Sequence, residues 1–294
     1  MSISLRKPII YIPGLQSSSL FVSISKPDLY PACPTFINYR VWPYPDNPDP
    51  KYAECLAQIF LTVYNQTANN ISHQPGIELT PDPIGDYKHF RRFGPFAQYL
   101  ESKGYRPKKD LFGFPYDWSL YYPGVTDIFA QLKTFIEKIK SDTGQKVVLM
   151  GHSMGTHVIR LLYTNYTTTE WIQDNIDSFV FLGPALFGCF QPYLKAFEGK
   201  LWYLPDTEMT VKTARRMASY HLLMNNYYVS GNFSIIRNAS NFRNASEFFE
   251  YIEQNKLFDR ESIKIAKLIE PSLKDKPVQP PVRTFVVFNN AIDT

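Results

Sequence analysis

Four short apolar runs, each stopped by glycine or proline, set the rhythm of the chain. Pro8-Ile-Ile-Tyr-Ile12 halts at Pro13-Gly14, and Lys109 to Phe114 halts at Pro115. Val147-Val-Leu-Met150 runs into Gly151, and Ser178-Phe-Val-Phe-Leu182 into Gly183-Pro184. Nearly continuous apolar runs of this length predict strands buried on both faces. A last strand is predicted at Arg283-Thr-Phe-Val-Val-Phe288. Between the runs the period lengthens to that of a helix. Residues 94–103 lead to Gly104, a C-cap candidate. The segment 126–143 sets Ile128, Phe129, Leu132, Phe135, Ile136 and Ile139 on one stripe before Gly144. Met154 to Tyr163 reads as a third helix. Strands alternating with helices at this spacing predict an α/β domain with a mostly parallel sheet.

Two stretches break the alternation. Residues 21–93, rich in Pro, Tyr and Asn, read as an irregular insertion. Residues 184–275 read as a cap excursion, with helical patches at 246–256 and 258–269 and a polar aromatic run at 220–235. No repeat divides the chain, so residues 1–294 are expected to form a single domain. A length of 294 residues is enough to bury a substantial core, and 44% hydrophobic with only 20% charged residues excludes a disordered or coiled-coil protein. The net charge of +4 is spread without a basic block, which gives no indication of nucleic-acid binding. No apolar run approaches the roughly 18 residues of a membrane-spanning helix.

Compartment signals point two ways. Six Asn-x-Ser/Thr sequons, at Asn65, Asn70, Asn165, Asn232, Asn238 and Asn244, exceed the about two that chance supplies. They suggest a secretory or lysosome-like route, yet the opening residues Met1 to Pro8 contain no apolar signal core. Either the protein is cytosolic with incidental sequons, or a leader lies upstream. Three cysteines decide little by number. Cys33 and Cys55 share one loop-rich stretch and are placed to close a loop, and Cys189 is expected to be a buried thiol. No Cys/His cluster has metal spacing, and neither metal nor cofactor is expected.

The chemistry-bearing motif is Gly151-His-Ser-Met-Gly155, between an apolar strand and an amphipathic helix. That context is the nucleophile elbow, a strand-to-helix turn so tight that a Cβ two residues to either side of the serine collides with its neighbours. Ser153 is the candidate nucleophile, at the C-terminal edge of the sheet. The N–H of Met154 is a candidate oxyanion donor, and the N–H of Leu15, after Pro13-Gly14, is a second. An ordinary turn remains the alternative for Leu15.

At these residues the sequence resembles the lecithin:cholesterol acyltransferase family, which includes lysosomal phospholipase A2 and phospholipid:diacylglycerol acyltransferases. The likeness runs through Lys7 to Gly14, then Cys33, Trp42 and Cys55, then Gly104-Tyr105 and Pro115-Tyr-Asp-Trp118. It continues through the elbow, Phe181 to Pro184, Asn232 to Phe249 and Thr284 to Asn290. Pro-Tyr-Asp-Trp is the specific part, since the elbow alone admits any α/β-hydrolase, including a soluble enzyme for small esters. The resemblance implies an α/β-hydrolase fold with a lid loop closed by a Cys33–Cys55 disulfide. Trp42 lies inside that loop, as a lid residue touching acyl chains or, on its own merits, as a buried anchor. It also implies transfer of a phospholipid acyl group through Ser153 to a sterol, lipid alcohol or water, at a transient membrane or lipid surface. Asp117 and Trp118 are expected to be structural. Two departures stand out: Leu15 replaces a residue that is often polar or cysteine, and Gly183 to Gly188 lacks a Pro-Trp-Gly-Gly arrangement.

A serine of this kind needs a histidine oriented by a carboxylate, in the order Ser, acid, His. The five histidines are His73, His89, His152, His157 and His221. His152 is expected to fill space, His157 to face the packing side of its helix, and His221 to be a polar cap residue. The resemblance implies an acid and base beyond the strand at Thr284 to Phe288, with Asp293 a weak substitute. The expectation is therefore only the nucleophile half of a triad. That describes a truncated paralogue, an incomplete gene sequence, or a lipid-binding descendant without turnover.

Overall fold

The computed structural model describes residues 6–44, 50–90, 93–120, 127–186, 188–189, 191–201, 204–224, 245–276 and 278–288. Asp293, Asn232, Asn238 and Asn244 lie outside them, as does most of the aromatic run at 220–235.

In chain order, strand β1 (Ile9–Ile12) is followed by an excursion. The excursion holds β2 (Leu20–Ile24), β3 (Tyr39–Trp42), α1 (Pro50–Phe60), β4 (Thr62–Asn65), β5 (Asn70–His73) and β6 (Ile77–Pro81). Then come α2 (Gly94–Ser102), β7 (Leu111–Gly113), α3 (Asp127–Thr143), β8 (Val147–His152), α4 (Met154–Leu161), α5 (Thr169–Asn175) and β9 (Ile176–Leu182). The remainder is α6 (Gln191–Glu198), α7 (Glu208–Arg216), α8 (Ala218–Leu222), α9 (Ala245–Gln254), α10 (Arg260–Leu273) and β10 (Arg283–Val287).

The central sheet runs β10-β9-β8-β1-β7 with every pairing parallel. Its inner strands are covered on both faces, as their uninterrupted apolar sequences require; β1 is buried at all four positions. Helix α3 lays the predicted stripe of Ile128, Phe129, Leu132, Ile136 and Ile139 into the core. The chain winds from β1 out to β7, returns across β1 to β8, and continues outward through β9 to β10. The direction of winding therefore reverses between β1 and β8, and crevices at the carboxyl ends of such strands are where open α/β sheets bind ligands. This is the α/β-hydrolase fold. Strand β10 forms one edge, with Phe285, Val286 and Val287 about half exposed.

The excursion after β1 is more regular than its composition predicts. Strands β3-β2-β6 form an antiparallel sheet, and β4-β5 a hairpin. Leu20, Val22 and Ile24 point inward from β2, and Ile77 and Leu79 from β6. This period-2 signal is genuine, but it is short and set among Pro, Tyr and Asn, which weakens it in a sequence window. Cys33 and Cys55 are disulfide-bonded, tying the segment before β3 to α1. Cys189, expected to be buried, is exposed. Its backbone N–H donates to the carbonyl of Leu223 at 2.9 Å, so its main chain is docked on the cap while the side chain reaches the surface.

The cap has a small core of its own, built from Ala196, Met224, Phe248, Phe249, Ile252 and Phe258. Asp259 caps α10 by accepting from the N–H of Ser262 at 2.9 Å and also pairs with Arg216 of α7 at 3.0 Å.

Candidate active site

The site begins with the turn from β8 into α4. Ser153 has φ 50° and ψ −121°, a conformation that costs a non-glycine residue on the order of 1–3 kcal/mol. The surroundings enforce it. A Cβ on Gly151 would lie 2.9 Å from the carbonyl oxygen of Gly155, and one on Gly155 would lie 2.2 Å from that of Ile12. Both glycines are thus required by backbone that cannot move aside. The Ser153 N–H donates to Leu182 O at 3.0 Å, fastening the elbow to the end of β9. Its carbonyl accepts from both the N–H and the hydroxyl of Thr156, at 3.0 and 2.6 Å.

Met154 opens α4, a helix buried at every position. As the first residue of a helix, it has an N–H with no intrahelical acceptor, at the positive end of the helix dipole. The β1 side closes in from across the switch point. A Cβ on Gly14 would sit 2.9 Å from Ser153 Cβ, so Gly14 packs closely against Ser153. Leu15 and Gln16 are the central residues of a turn closed by Ser17 N–H to Gly14 O at 3.2 Å, with Gln16 at φ 62°.

The Pro-Tyr-Asp-Trp motif braces that turn. Tyr116 donates its hydroxyl to Pro13 O at 2.8 Å, and its N–H meets Ser18 Oγ at 3.3 Å. Trp118 Nε1 donates to Ser18 O at 3.0 Å. Its ring stacks on Phe60 of α1 at 5.4 Å and meets Trp42 edge-on at 5.3 Å. Trp42, whose lid role the family resemblance implies, is only 2% exposed, and its Nε1 donates to Gln16 O at 2.8 Å. Its ring is packed in the core, and its one polar atom is bonded to the Gly14–Ser17 turn.

Asp117 has a partner that the sequence did not disclose. His73, at the end of β5, meets its Oδ2 through Nε2 at 2.7 Å, and Ser119 donates to Oδ1 from both N–H and hydroxyl. Burial alone would raise the Asp117 pKa, but His73 and the Ser119 hydrogen bonds outweigh it and hold the carboxyl below its usual value. The two residues are 44 positions apart, and no local pattern marks the pair.

The other histidines are accounted for differently. His152 Nδ1 crowds the same point beside Gly14 as the Ser153 Cβ, filling the space there. His157 is enclosed, and burial together with Arg160 pushes its pKa down to about 3. His221 lies in the interior with Nε2 donating to Arg215 O at 2.8 Å, and burial takes its pKa down to about 4. His89 pairs with Asp82 at 3.1 Å on an exposed face. Among the described residues, no histidine hydrogen-bonds Ser153 Oγ. No group of three or more His, Cys, Asp and Glu side chains suited to a metal ion occurs among them.

A family model of lecithin:cholesterol acyltransferase matches residues 38–288, most of the chain. The chain belongs to the lecithin:cholesterol acyltransferase family. The match takes in Trp42, Cys55, Pro115 to Trp118 and the whole elbow, and begins after Leu15 and Cys33. Among relatives, a bovine lysosomal phospholipase A and acyltransferase is 26% identical over 197 residues, covering 62% of this chain and 48% of its own length. Human phosphatidylcholine-sterol acyltransferase is 25% identical over 208 residues, covering 66% and 46%. The chicken protein of the same name is 26% identical over 202 residues, covering 63% and 48%. The chain spans about half the length of the curated relatives it matches.

Proposed function

We propose that this protein acts in lipid metabolism as an acyltransferase or phospholipase, with Ser153 as the nucleophile. The observation that carries this reading is the strained Ser153 backbone at the β1/β8 switch point, with Gly14 packed against it. Ser153 Oγ attacks the acyl carbonyl of a phospholipid as its proton passes to a general base. The N–H groups of Met154 and Leu15 face the oxygen that becomes negative. Collapse of that intermediate expels the lysophospholipid, and a sterol, lipid alcohol or water then takes the acyl group from Ser153.

Support for a lipid surface comes from the disulfide-closed excursion. Leu29, Ile37 and Tyr39 expose 56%, 82% and 44% of their area there, and a cavity of about 410 Å³ opens beside Cys33 and Tyr52. Replacing Ile37 with Asp is expected to weaken sedimentation with phosphatidylcholine vesicles several-fold while leaving the folded CD spectrum unchanged.

The absence of a histidine at Ser153 among the described residues favours one alternative, a protein that binds lipid without turning it over. Phosphatidylcholine vesicles doped with a long-chain alcohol separate the two readings. Acyl transfer yields lysophospholipid with fatty acid or wax ester, and Ser153→Ala lowers the rate by about a thousandfold or more. Vesicle binding with no acyl release establishes the alternative, and undiminished turnover by Ser153→Ala sinks the proposed mechanism.

A further inference from the structure

The contact between His73 and Asp117 has no part in the chemistry assigned to Ser153, yet Asp117 stands between the two residues that bond the turn carrying Leu15. We propose that His73 is a positioning residue: by holding the Asp117 carboxylate it fixes the buried segment 114–120, and through that segment the Gly14–Ser17 turn. The proposal rests on the reading of Leu15 as an oxyanion donor.

Residues 114–120 follow β7 and belong to no helix or strand, yet every one of them is buried. A buried segment without a ladder of its own must be held by other bonds. Tyr116 and Trp118 reach from it to Pro13 and Ser18, which flank the turn. Asp117 lies between them in the chain. Its Oδ1 accepts from the N–H and hydroxyl of Ser119 at 2.9 and 2.6 Å, which closes the segment on itself. Its Oδ2 meets Nε2 of His73 at 2.7 Å, and this bond ties the segment to the β4–β5 hairpin.

His73 is itself well held. It pairs with Thr62 across the hairpin, and the Thr62 hydroxyl donates to Arg216 O at 2.5 Å. The next residue, Gln74, donates its side-chain amide to Gln58 O of α1 at 3.1 Å. The imidazole therefore meets Asp117 from a fixed frame. His73 and Asp117 each expose only 9% of their side chains, so loss of the imidazole leaves a buried carboxylate oxygen without that partner. A buried acceptor left unmet costs about 1–3 kcal/mol, and more when charged, a penalty that movement relieves. Movement of Asp117 is passed directly to Tyr116 and Trp118, its neighbours in the chain.

A histidine set against a carboxylate has the form of half a catalytic triad. The Nδ1 of His73, however, is buried with no hydrogen-bond partner, and the hydroxyl at the carboxylate belongs to Ser119. In this arrangement His73 relays no proton to Ser153. The packing of Trp118 on Phe60 and Trp42 is the rival support for the segment. Replacing His73 leaves those rings in place, so the variant separates the two.

The test compares wild type with His73→Phe, which keeps a ring but offers no N–H, and His73→Gln, which restores a donor. Hydrogen exchange is followed on peptides 12–20 and 147–152 of the folded proteins, alongside the rate of fluorophosphonate labelling at Ser153. In His73→Phe, exchange of peptide 12–20 is expected to rise severalfold while peptide 147–152 keeps its protection. The maximal labelling rate should fall between about ten- and a hundredfold with the half-saturating probe concentration unchanged. His73→Gln should recover both. If the phenyl ring prevents folding, His73→Ala gives the same comparison. Unchanged exchange of peptide 12–20, an equal loss of protection in peptide 147–152, or no recovery in His73→Gln overturns the proposal. Absence of labelling in the wild type refutes the nucleophile reading alone, and the exchange comparison still decides the role of His73.

Discussion

Ser153 holds a backbone conformation suited to glycine because the elbow offers it no other. Strain of this kind is stored where it serves function and is balanced by the surrounding packing. Ser153→Gly is accordingly expected to raise unfolding stability by about 1 kcal/mol while deleting the proposed nucleophile. Urea denaturation of the two proteins checks this, and a variant less stable than wild type would show that the elbow is not strained. The need for Gly151 and Gly155 could be read in advance from the motif, since its tightness is a property of the turn itself. Which carbonyls stand in the way, those of Gly155 and Ile12, depends on how β1 and α4 pack and becomes visible only in three dimensions.

At the scale of elements, α1 is held to the segment before β3 by one covalent link and to the segment after β7 by the stacking of Phe60 on Trp118. The Cys33–Cys55 bond closes a loop with a sequence separation of 22, for which chain entropy gives about 3 kcal/mol. Replacing both cysteines by serine should lower the unfolding free energy by that order, and a change near zero would mean that packing alone holds the segment. The five sheet strands and helices α2, α3 and α4 were legible because burial on two faces or along one stripe writes a strong periodic signal. Strands β2, β3 and β6 were not: β2 and β6 each bury one face over only five residues, β3 buries only its last two residues, and prolines and turns punctuate them. Trp42 shows the same limit. Sequence could place it in the loop between the cysteines, but not decide between lid and anchor, since the answer depends on Trp118, which is distant in the chain. The His73–Asp117 contact, likewise, is a product of topology alone.

For the molecule as a whole, acid is the adverse condition. His221 and His157 are buried with pKa values lowered to about 4 and about 3, while an unfolded chain protonates them near 6.5. A folded pKa below the unfolded one means that the unfolded state takes up the proton first as pH falls. Stability is therefore retained above pH 6.5 and lost between 6.5 and about 4, by an amount on the order of 3 kcal/mol for His221 alone. Asp117 adds to the loss at lower pH, since its carboxyl is also held below its ordinary value. His221→Asn keeps an N–H donor for Arg215 O without titrating, so its stability should fall less steeply between pH 7 and 4 in chemical denaturation. Identical slopes would show that His221 does not carry the effect.

Fold, brace and strained turn all converge on one claim, that Ser153 is a nucleophile presented ready for acylation. A serine-directed fluorophosphonate, applied to the folded protein and followed by peptide mass spectrometry, tests it directly. The account predicts an adduct on the Ser153 peptide that is absent from heat-unfolded protein and from Ser153→Ala. A correctly folded wild-type protein left unmodified at Ser153 would contradict it.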